Sequence, residues 1–264
     1  MVHLVTQSNI NIILRVAIVA LFVFSLPELL AVPAKTVSAT QPVINACTVD
    51  WPPFTIANGN SITGIDTEIV QEAAKRMGYQ LNISIIPWKR CLQLARDTDQ
   101  IDIVYSASKS PDREKFLRYT SKPLHTLNFV FAVKGNSPNG WTGTNYSVLP
   151  QPIGIPLGYS VTKKLKDIPG VTLDENSNND LQNIQKFKNN RVKTIVMERT
   201  VLAHLTKTQD VKVTTLDPPV DGGKEYFITV SNKSKHPELL PKLELEIEKM
   251  RSDGTIDAIE KKYK

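Results

Sequence analysis

Arg113, with Ser106 and Ser108 a few residues upstream, has the residue types and spacing to receive a carboxylate. A guanidinium is a planar fork of donors that matches two carboxylate oxygens at once, and serine hydroxyls fill the lone pairs the fork leaves open. The stretch carrying them, 101–116, begins β-prone and apolar at Ile101, Ile103 and Val104, releases the two serines, and reaches Pro111 at a helix start. It is read as a strand that presents the serines at its C-terminal end, the edge where open α/β sheets bind small molecules. The plainer alternative is an arginine pairing with surface carboxylates beside serines that close a turn.

Three further places bear on the same chemistry. Pro152 to Gly158 reads as a short apolar strand, followed by Tyr159, Ser160 and a helix from Val161 to Lys166. The first NH groups of a helix point outward unpaired, so this is an anion site or an ordinary turn and cap. Glu198 follows the strand Thr194–Met197 and precedes a helix from Thr200, where an acid complements the helix N-terminus. Trp51 and Phe54 flank two prolines on a stiff loop, and Trp51 either stacks over a ligand or plugs the edge of the core.

The elements that must position these residues alternate. A strand at Val43–Val49, a helix from Asp66 to Met77 with Asp66 as N-cap, a strand at Leu81–Ile86 and a helix from Lys89 after Pro87-Trp88 all precede the 101–116 stretch. Strand, helix, strand, helix, strand with short connections predicts a parallel sheet covered by helices. Extended segments at 117–119 and 127–133 end in the turn-rich run 134–140, where a lobe boundary is placed. Beyond the second lobe's strands and helices, including a strand at Val211–Thr214, the chain closes with Glu225–Val230 and two helices, Pro237–Arg251 and Thr255–Tyr263.

Length and composition fit this scheme: 264 residues, 41% hydrophobic and 22% charged, are enough for a sizeable core. Arg15, the apolar run Val16–Phe24 and the small residues Val37-Ser-Ala39 have the order of a secretory signal peptide over 1–39. Export makes a disulfide the natural state of a cysteine pair. Cys47 lies in the first mature strand and Cys91 at the start of the helix after the second, so they meet if those strands are neighbours; otherwise they are two small buried thiols. The net charge of +6 is spread over solvated faces such as Lys163, Lys164 and Lys166, without interleaved aromatics, so no nucleic-acid partner is expected. His3, His125, His204 and His236 are scattered with no metal-ligand spacing, and no phosphate-cradling glycine loop or nucleophile elbow occurs, so no cofactor, metal or catalytic residue is expected.

With these pieces in place, the chain resembles the extracytoplasmic solute-binding proteins of polar amino acid ABC transporters, bacterial extracellular solute-binding family 3. Trp51-Pro-Pro-Phe54, Gly64-Ile-Asp66 with Glu68, Trp88 ahead of Asp102, the Ser106/Ser108/Arg113 set, Gly158-Tyr-Ser160, Glu198, Asp253-Gly-Thr and Tyr263-Lys264 occur in family order over the whole mature chain. The resemblance implies an α/β fold: a two-lobed, periplasmic-binding-protein-like (type II) clamp with two hinge strands. Lobe one would be 40–132 with 230–264, lobe two 133–229, and the hinges near 131–133 and 227–230. Arg113 and Ser108 would take a ligand's α-carboxylate, with Ser106 acting mainly through its backbone and Ser160 meeting the same group from lobe two. Glu198 would face the α-amino group, and Trp51 and Trp88 the side chain.

The same resemblance implies a monomeric, non-enzymatic periplasmic binder that captures a small zwitterion, an amino acid or close analogue, for an ABC permease in the membrane. A sensor docking on a membrane receptor and a cyclohexadienyl dehydratase-like enzyme are the alternatives. Thr48 stands where members taking cationic amino acids often carry an acid. Tyr159 replaces a small hydroxyl residue, Glu198 the usual Asp, and Leu124 a tyrosine.

Overall fold

The structure, a computed structural model, describes residues 41–263; the expected signal peptide over 1–39 lies outside the described residues. The first half supplies β1 (Val43–Thr48), β2 (Ile56–Asn58), β3 (Ser61–Thr63), α1 (Ile65–Arg76), β4 (Gln80–Ile85), α2 (Trp88–Asp97), β5 (Ile103–Ser108), α3 (Pro111–Glu114), β6 (Leu117–Tyr119) and β7 (His125–Val133). The second supplies β8 (Ile153–Pro156), α4 (Thr162–Leu165), β9 (Leu173–Ser177), α5 (Asp180–Lys188), β10 (Thr194–Glu198), α6 (Arg199–Thr208), β11 (Thr214–Thr215), β12 (Asp221–Ser231), α7 (Leu239–Ser252) and α8 (Thr255–Lys261).

Ten strands form one sheet in the order β4-β1-β5-β12-β7-β10-β8-β9, with β11 added to β7 and β6 to β12. At one end β1 pairs parallel with β4 and β5; at the other β8 pairs parallel with β10 and β9. Parallel strands are covered on both faces and therefore read as apolar runs, and every residue of β5, β8 and β10 is buried. The antiparallel strands β7 and β12 join the two groups. β12 pairs with β7 over Asp221–Tyr226 and with β5 over Tyr226–Val230. β7 in turn pairs with β12 up to Phe129 and with β10 from Phe129 to Val133. The changes of partner fall at Phe129 and Tyr226, just ahead of the 131–133 and 227–230 stretches expected from the sequence.

Three local expectations are corrected. Asp66 does not cap α1: Gly64 holds the cap position at φ 114°. The carbonyls of Pro53 and Phe54 accept from the NH groups of Ile65, Asp66 and Thr67, at 3.0, 3.0 and 3.3 Å. A Cβ on Gly64 would sit 2.5 Å from the Phe54 carbonyl oxygen, so only glycine allows that approach. The Asp66 carboxylate, relieved of capping, turns into the core. The expected strand at Val211–Thr214 shrinks to Thr214–Thr215. The edge strand β9, Leu173-Asp-Glu-Asn-Ser177, was not expected, because its polar sequence resembles a loop.

α1 buries Ile69, Val70, Ala73 and Ala74, the face that its apolar spacing predicts. The C-terminal helices lock onto it. Arg76 reaches Asp253 at 2.7 Å and Thr255 at 2.8 Å, Lys262 reaches Glu68 at 2.7 Å, and the Tyr263 hydroxyl donates to Glu68 and accepts from the Gly64 NH at 2.8 Å. Gly64, Glu68, Asp253-Gly-Thr and Tyr263 therefore form one structural tie. No helix among the described residues is long and apolar enough to cross a membrane.

Cys47 and Cys91 are bridged, with Cα atoms 5.7 Å apart. β1 and β4 are adjacent with Cys47 opposite Ser84, so α2, which follows β4 directly, returns Cys91 over β1. The bridge closes a separation of 44 residues. On the chain-entropy account, the Cys47→Ala/Cys91→Ala double variant loses about 4 kcal/mol of stability in urea titration; a loss below about 1 kcal/mol would show that the bridge restrains little.

Behind β5, Asp66 accepts from the Ser106 hydroxyl at 2.6 Å and from the His125 imidazole. Burial lowers the His125 pKa, but the charge of Asp66 and its hydrogen bond outweigh this, helped by Glu260 and opposed by Arg251, and the net shift is upward. A raised folded pKa gives stability that is complete below the unfolded value near 6.5 and is lost as pH rises through the folded value. The stability of the wild type over His125→Asn, measured by urea titration across that window, should shrink with rising pH. A pH-independent difference would contradict the pairing.

Candidate functional site

One pocket is lined by Val49, Trp51, Trp88, Ser106, Ser108, Arg113, Phe129, Tyr159, Ser160 and Tyr226. The loop after β1 provides Val49 and Trp51, the start of α2 provides Trp88, and β5 with α3 provides the serines and Arg113. The loop after β8 provides Tyr159 and Ser160, and the two joining strands give Phe129 and Tyr226 at the points where they change partner. Strand ends from both parallel groups thus converge on one place, as ligand sites in α/β sheets do.

Arg113 is 7% exposed. Ser110 caps α3 and Pro111 opens it, which aims the arginine inward from the first turn. Its Nη1 donates to the Ser108 carbonyl at 3.0 Å and hydroxyl at 2.8 Å, its Nη2 to the Gly158 carbonyl at 3.2 Å, and its guanidinium lies 5.3 Å from the Trp88 ring centre. Burial lowers its pKa, with the Tyr119 and Tyr226 hydroxyls acting the other way, but an arginine so placed stays cationic. Among the described residues, Arg113 forms no ion pair. Carbonyl and hydroxyl dipoles and a ring face surround the charge, and none of them neutralises it.

Ser106 adopts φ 57°, a left-handed conformation that is rare for serine and typical of functional sites. Its hydroxyl is committed to Asp66. Across the pocket, the Ser160 hydroxyl lies 3.3 Å from that of Ser108. Gly158, at φ 85°, brings the loop after β8 so close to α2 that a Cβ would lie 3.4 Å from Lys89 Cβ. At the rim Lys163 of α4 donates to Asp112 of α3. The two walls are therefore in contact, and Arg113 and Ser108 are at the junction.

Trp51 is 3% exposed and packs on Phe54 and Tyr226, with ring centres 4.8 and 5.2 Å apart. It plugs the core edge, and it also lines the pocket. Thr48 is fully buried, with its hydroxyl 3.4 Å from the Tyr105 carbonyl, and does not line the pocket.

Glu198 is buried at the end of β10 but is not among the lining residues. Its carboxylate caps α6, accepting from the NH groups of Thr200 and Val201 at 2.7 and 2.9 Å. Burial raises its pKa and these hydrogen bonds oppose the rise. Asp180, the first residue of α5, does not cap its helix and meets the pocket's aromatic wall through Tyr159. It is fully buried and accepts from the Tyr159 hydroxyl at 2.9 Å. Sequence reasoning placed the α5 start at Asn179, the observed cap, and did not single out Asp180, whose partner Tyr159 lies 21 residues away in the chain. Phe129 and Tyr226 were missed because a strand residue's place opposite a pocket depends on which neighbour it pairs with, and spacing does not show that.

The family model for bacterial extracellular solute-binding proteins, family 3, matches residues 43–264. The chain is 24% identical over 231 residues to the arginine-binding extracellular protein ArtP of Bacillus subtilis, covering 86% of this chain and 87% of that one. It is 23% identical over 216 residues to the L-cystine-binding protein TcyJ of Escherichia coli strain K12, covering 81% and 79%. Among solved structures, the substrate-binding protein of an amino acid ABC transporter matches with TM-score 0.72 at 23% identity over 84% of this chain and 98% of that one. An ancestral arginine-binding protein bound to arginine matches with TM-score 0.71 at 22% identity, over 85% and 98%. These likenesses give the fold as that of type II periplasmic binding proteins. With the family match spanning all but the first residues of the described chain, the protein belongs to the bacterial extracellular solute-binding proteins, family 3.

Proposed function

We propose that this protein captures a small zwitterion, an amino acid or close analogue, in the periplasm and hands it to the membrane permease of an ABC transporter, without catalysing a reaction. The observation that carries the reading is Arg113: a buried guanidinium with no acid partner among the described residues, set in a pocket built from both ends of the sheet. A ligand carboxylate supplies the missing counter-charge, and Ser108 and Ser160, already within 3.3 Å of each other, are placed to share it. Ser106 contributes through its backbone, since its hydroxyl is taken by Asp66. Trp88 and Trp51 wall the ligand's side chain, and Glu198 adds negative charge on the amine side from behind the pocket.

On this reading the chain works as two lobes, 40–132 with 230–264 and 133–229, that rock about β7 and β12. Completing the ligand's contacts requires both walls, so binding itself favours the closed form. The relatives' names, arginine-binding and cystine-binding, support the amino-acid class.

Calorimetric titration with a panel of L-amino acids tests the reading. Wild type binds at least one of them, and Arg113→Met weakens that binding by about 3 to 5 kcal/mol, the cost of leaving a buried charge without its partner. The ligand-free stability of Arg113→Met changes far less, since the variant removes a charge that has no acid beside it. Equal affinity in the two proteins, or no binding by wild type, would overturn the proposal.

A further inference from the structure

Two aromatic residues of the pocket wall converge on one buried acid. Asp180 opens α5 at the C-terminal edge of β8, β9 and β10, fully shut from water. Asn179 caps that helix by accepting from the Gln182 NH, so the Asp180 carboxylate is not engaged in capping. One of its oxygens accepts from the Tyr159 hydroxyl at 2.9 Å; the other has no hydrogen-bond partner. The buried indole NH of Trp51 also lacks a partner and lies close enough to act on the same carboxylate, without completing a hydrogen bond of ordinary geometry. Tyr159 and Trp51 both line the pocket that holds Arg113.

We propose that Asp180 is a positioning residue for the amine end of the ligand: it fixes the Tyr159 ring from behind and supplies the negative charge that a bound ammonium pairs with, opposite Arg113. The inference rests on the zwitterion reading and gives that ligand's second charge a partner. Tyr159 carries the interaction, because a hydroxyl that donates to a carboxylate turns its lone pairs outward, toward a donor in the pocket. Glu198 differs in that its Oε2 is committed to capping α6, accepting from the Thr200 and Val201 NH groups, while its Oε1 accepts from the Thr200 hydroxyl at 3.4 Å.

The proposal makes binding depend on pH. Burial raises the Asp180 carboxyl to about 7; the Tyr159 hydroxyl and the Trp51 indole pull it down, and the charges of Glu198 and Asp50 push it up. Tyr226 of β12 also faces it, and Asp50 has His204 of α6 near it. An ammonium favours the charged carboxylate, so ligand uptake below that pKa must expel a proton. Affinity then falls by up to about tenfold per pH unit below the pKa and levels off above it. In the ligand-free protein the sign is the reverse of the usual carboxylate case. The folded pKa lies above the ordinary 3.8, so the folded state keeps a proton that the unfolded state has lost, and stability declines as pH rises from about 3.8 to about 7.

Thermal melts and titration calorimetry across that range test the proposal, using an equimolar mixture of the twenty proteinogenic L-amino acids and a matched mixture of 2-hydroxy acids that lack the amine. Wild type should respond to the amino acids with an inflection near neutrality. Asp180→Asn should bind them at least about tenfold more weakly, lose the inflection, respond to the hydroxy acids as wild type does, and melt higher than wild type in alkaline ligand-free buffer. Tyr159→Phe keeps the acid but removes its hydrogen bond, so its inflection should move to higher pH. An Asp180→Asn protein with wild-type amino-acid affinity and pH profile overturns the inference and leaves the zwitterion reading standing. A wild type that ignores the amino acids, or binds both mixtures alike, overturns both. If Asp180→Asn does not fold, an unmoved inflection in Tyr159→Phe overturns the inference and an upward shift supports it.

Discussion

A guanidinium sealed from water among carbonyl, hydroxyl and ring groups sets the terms for this structure. Moving a full charge out of water costs several kcal/mol unless a counter-ion and hydrogen bonds offset it. The Arg113 side chain has the hydrogen bonds, donated to Ser108 and Gly158, and lacks the counter-ion among the described residues. A fold gains nothing in stability from such an arrangement. The cost is carried by the sheet around it, whose β5, β8 and β10 are buried throughout, and by the disulfide and the C-terminal tie.

The topology explains how one pocket draws on distant parts of the chain. Among the described residues, the sheet joins its two parallel groups of strands through β7 and β12, and each of those strands changes partner beside the pocket, at Phe129 and at Tyr226. Residues there feel any change in the angle between the groups. Contacts that close the walls, Ser108 with Ser160, Arg113 with Gly158 and Asp112 with Lys163, all pair an element of one group with a loop or helix that follows β8 of the other.

Much of this was legible in the sequence because it is local. The strand ending in Ser106 and Ser108, the proline-opened turn of helix that aims Arg113, and the loop with Tyr159 and Ser160 are each specified within a dozen residues. The Cys47 to Cys91 bridge needed only one long-range fact, that β1 and β4 are neighbours. What stayed hidden depends on who meets whom across the fold. Asp66 looks like a helix cap in sequence, yet the carbonyls of Pro53 and Phe54 satisfy that helix and send the carboxylate to Ser106 and His125. Glu198 and Asp180 both stand at helix starts; the sequence already offered the first as a partner of its own helix N-terminus, as observed, and only the structure shows that the second accepts from the pocket's tyrosine.

The central claim is that a ligand carboxylate completes the charge of Arg113, and it is tested most directly by blocking that carboxylate alone. Calorimetric titration of the wild-type protein should be made with whichever L-amino acid binds it and with the methyl ester of that amino acid, which keeps the amine and the side chain. The account predicts binding of the free acid and no measurable binding of the ester. Comparable affinity for the two would contradict it.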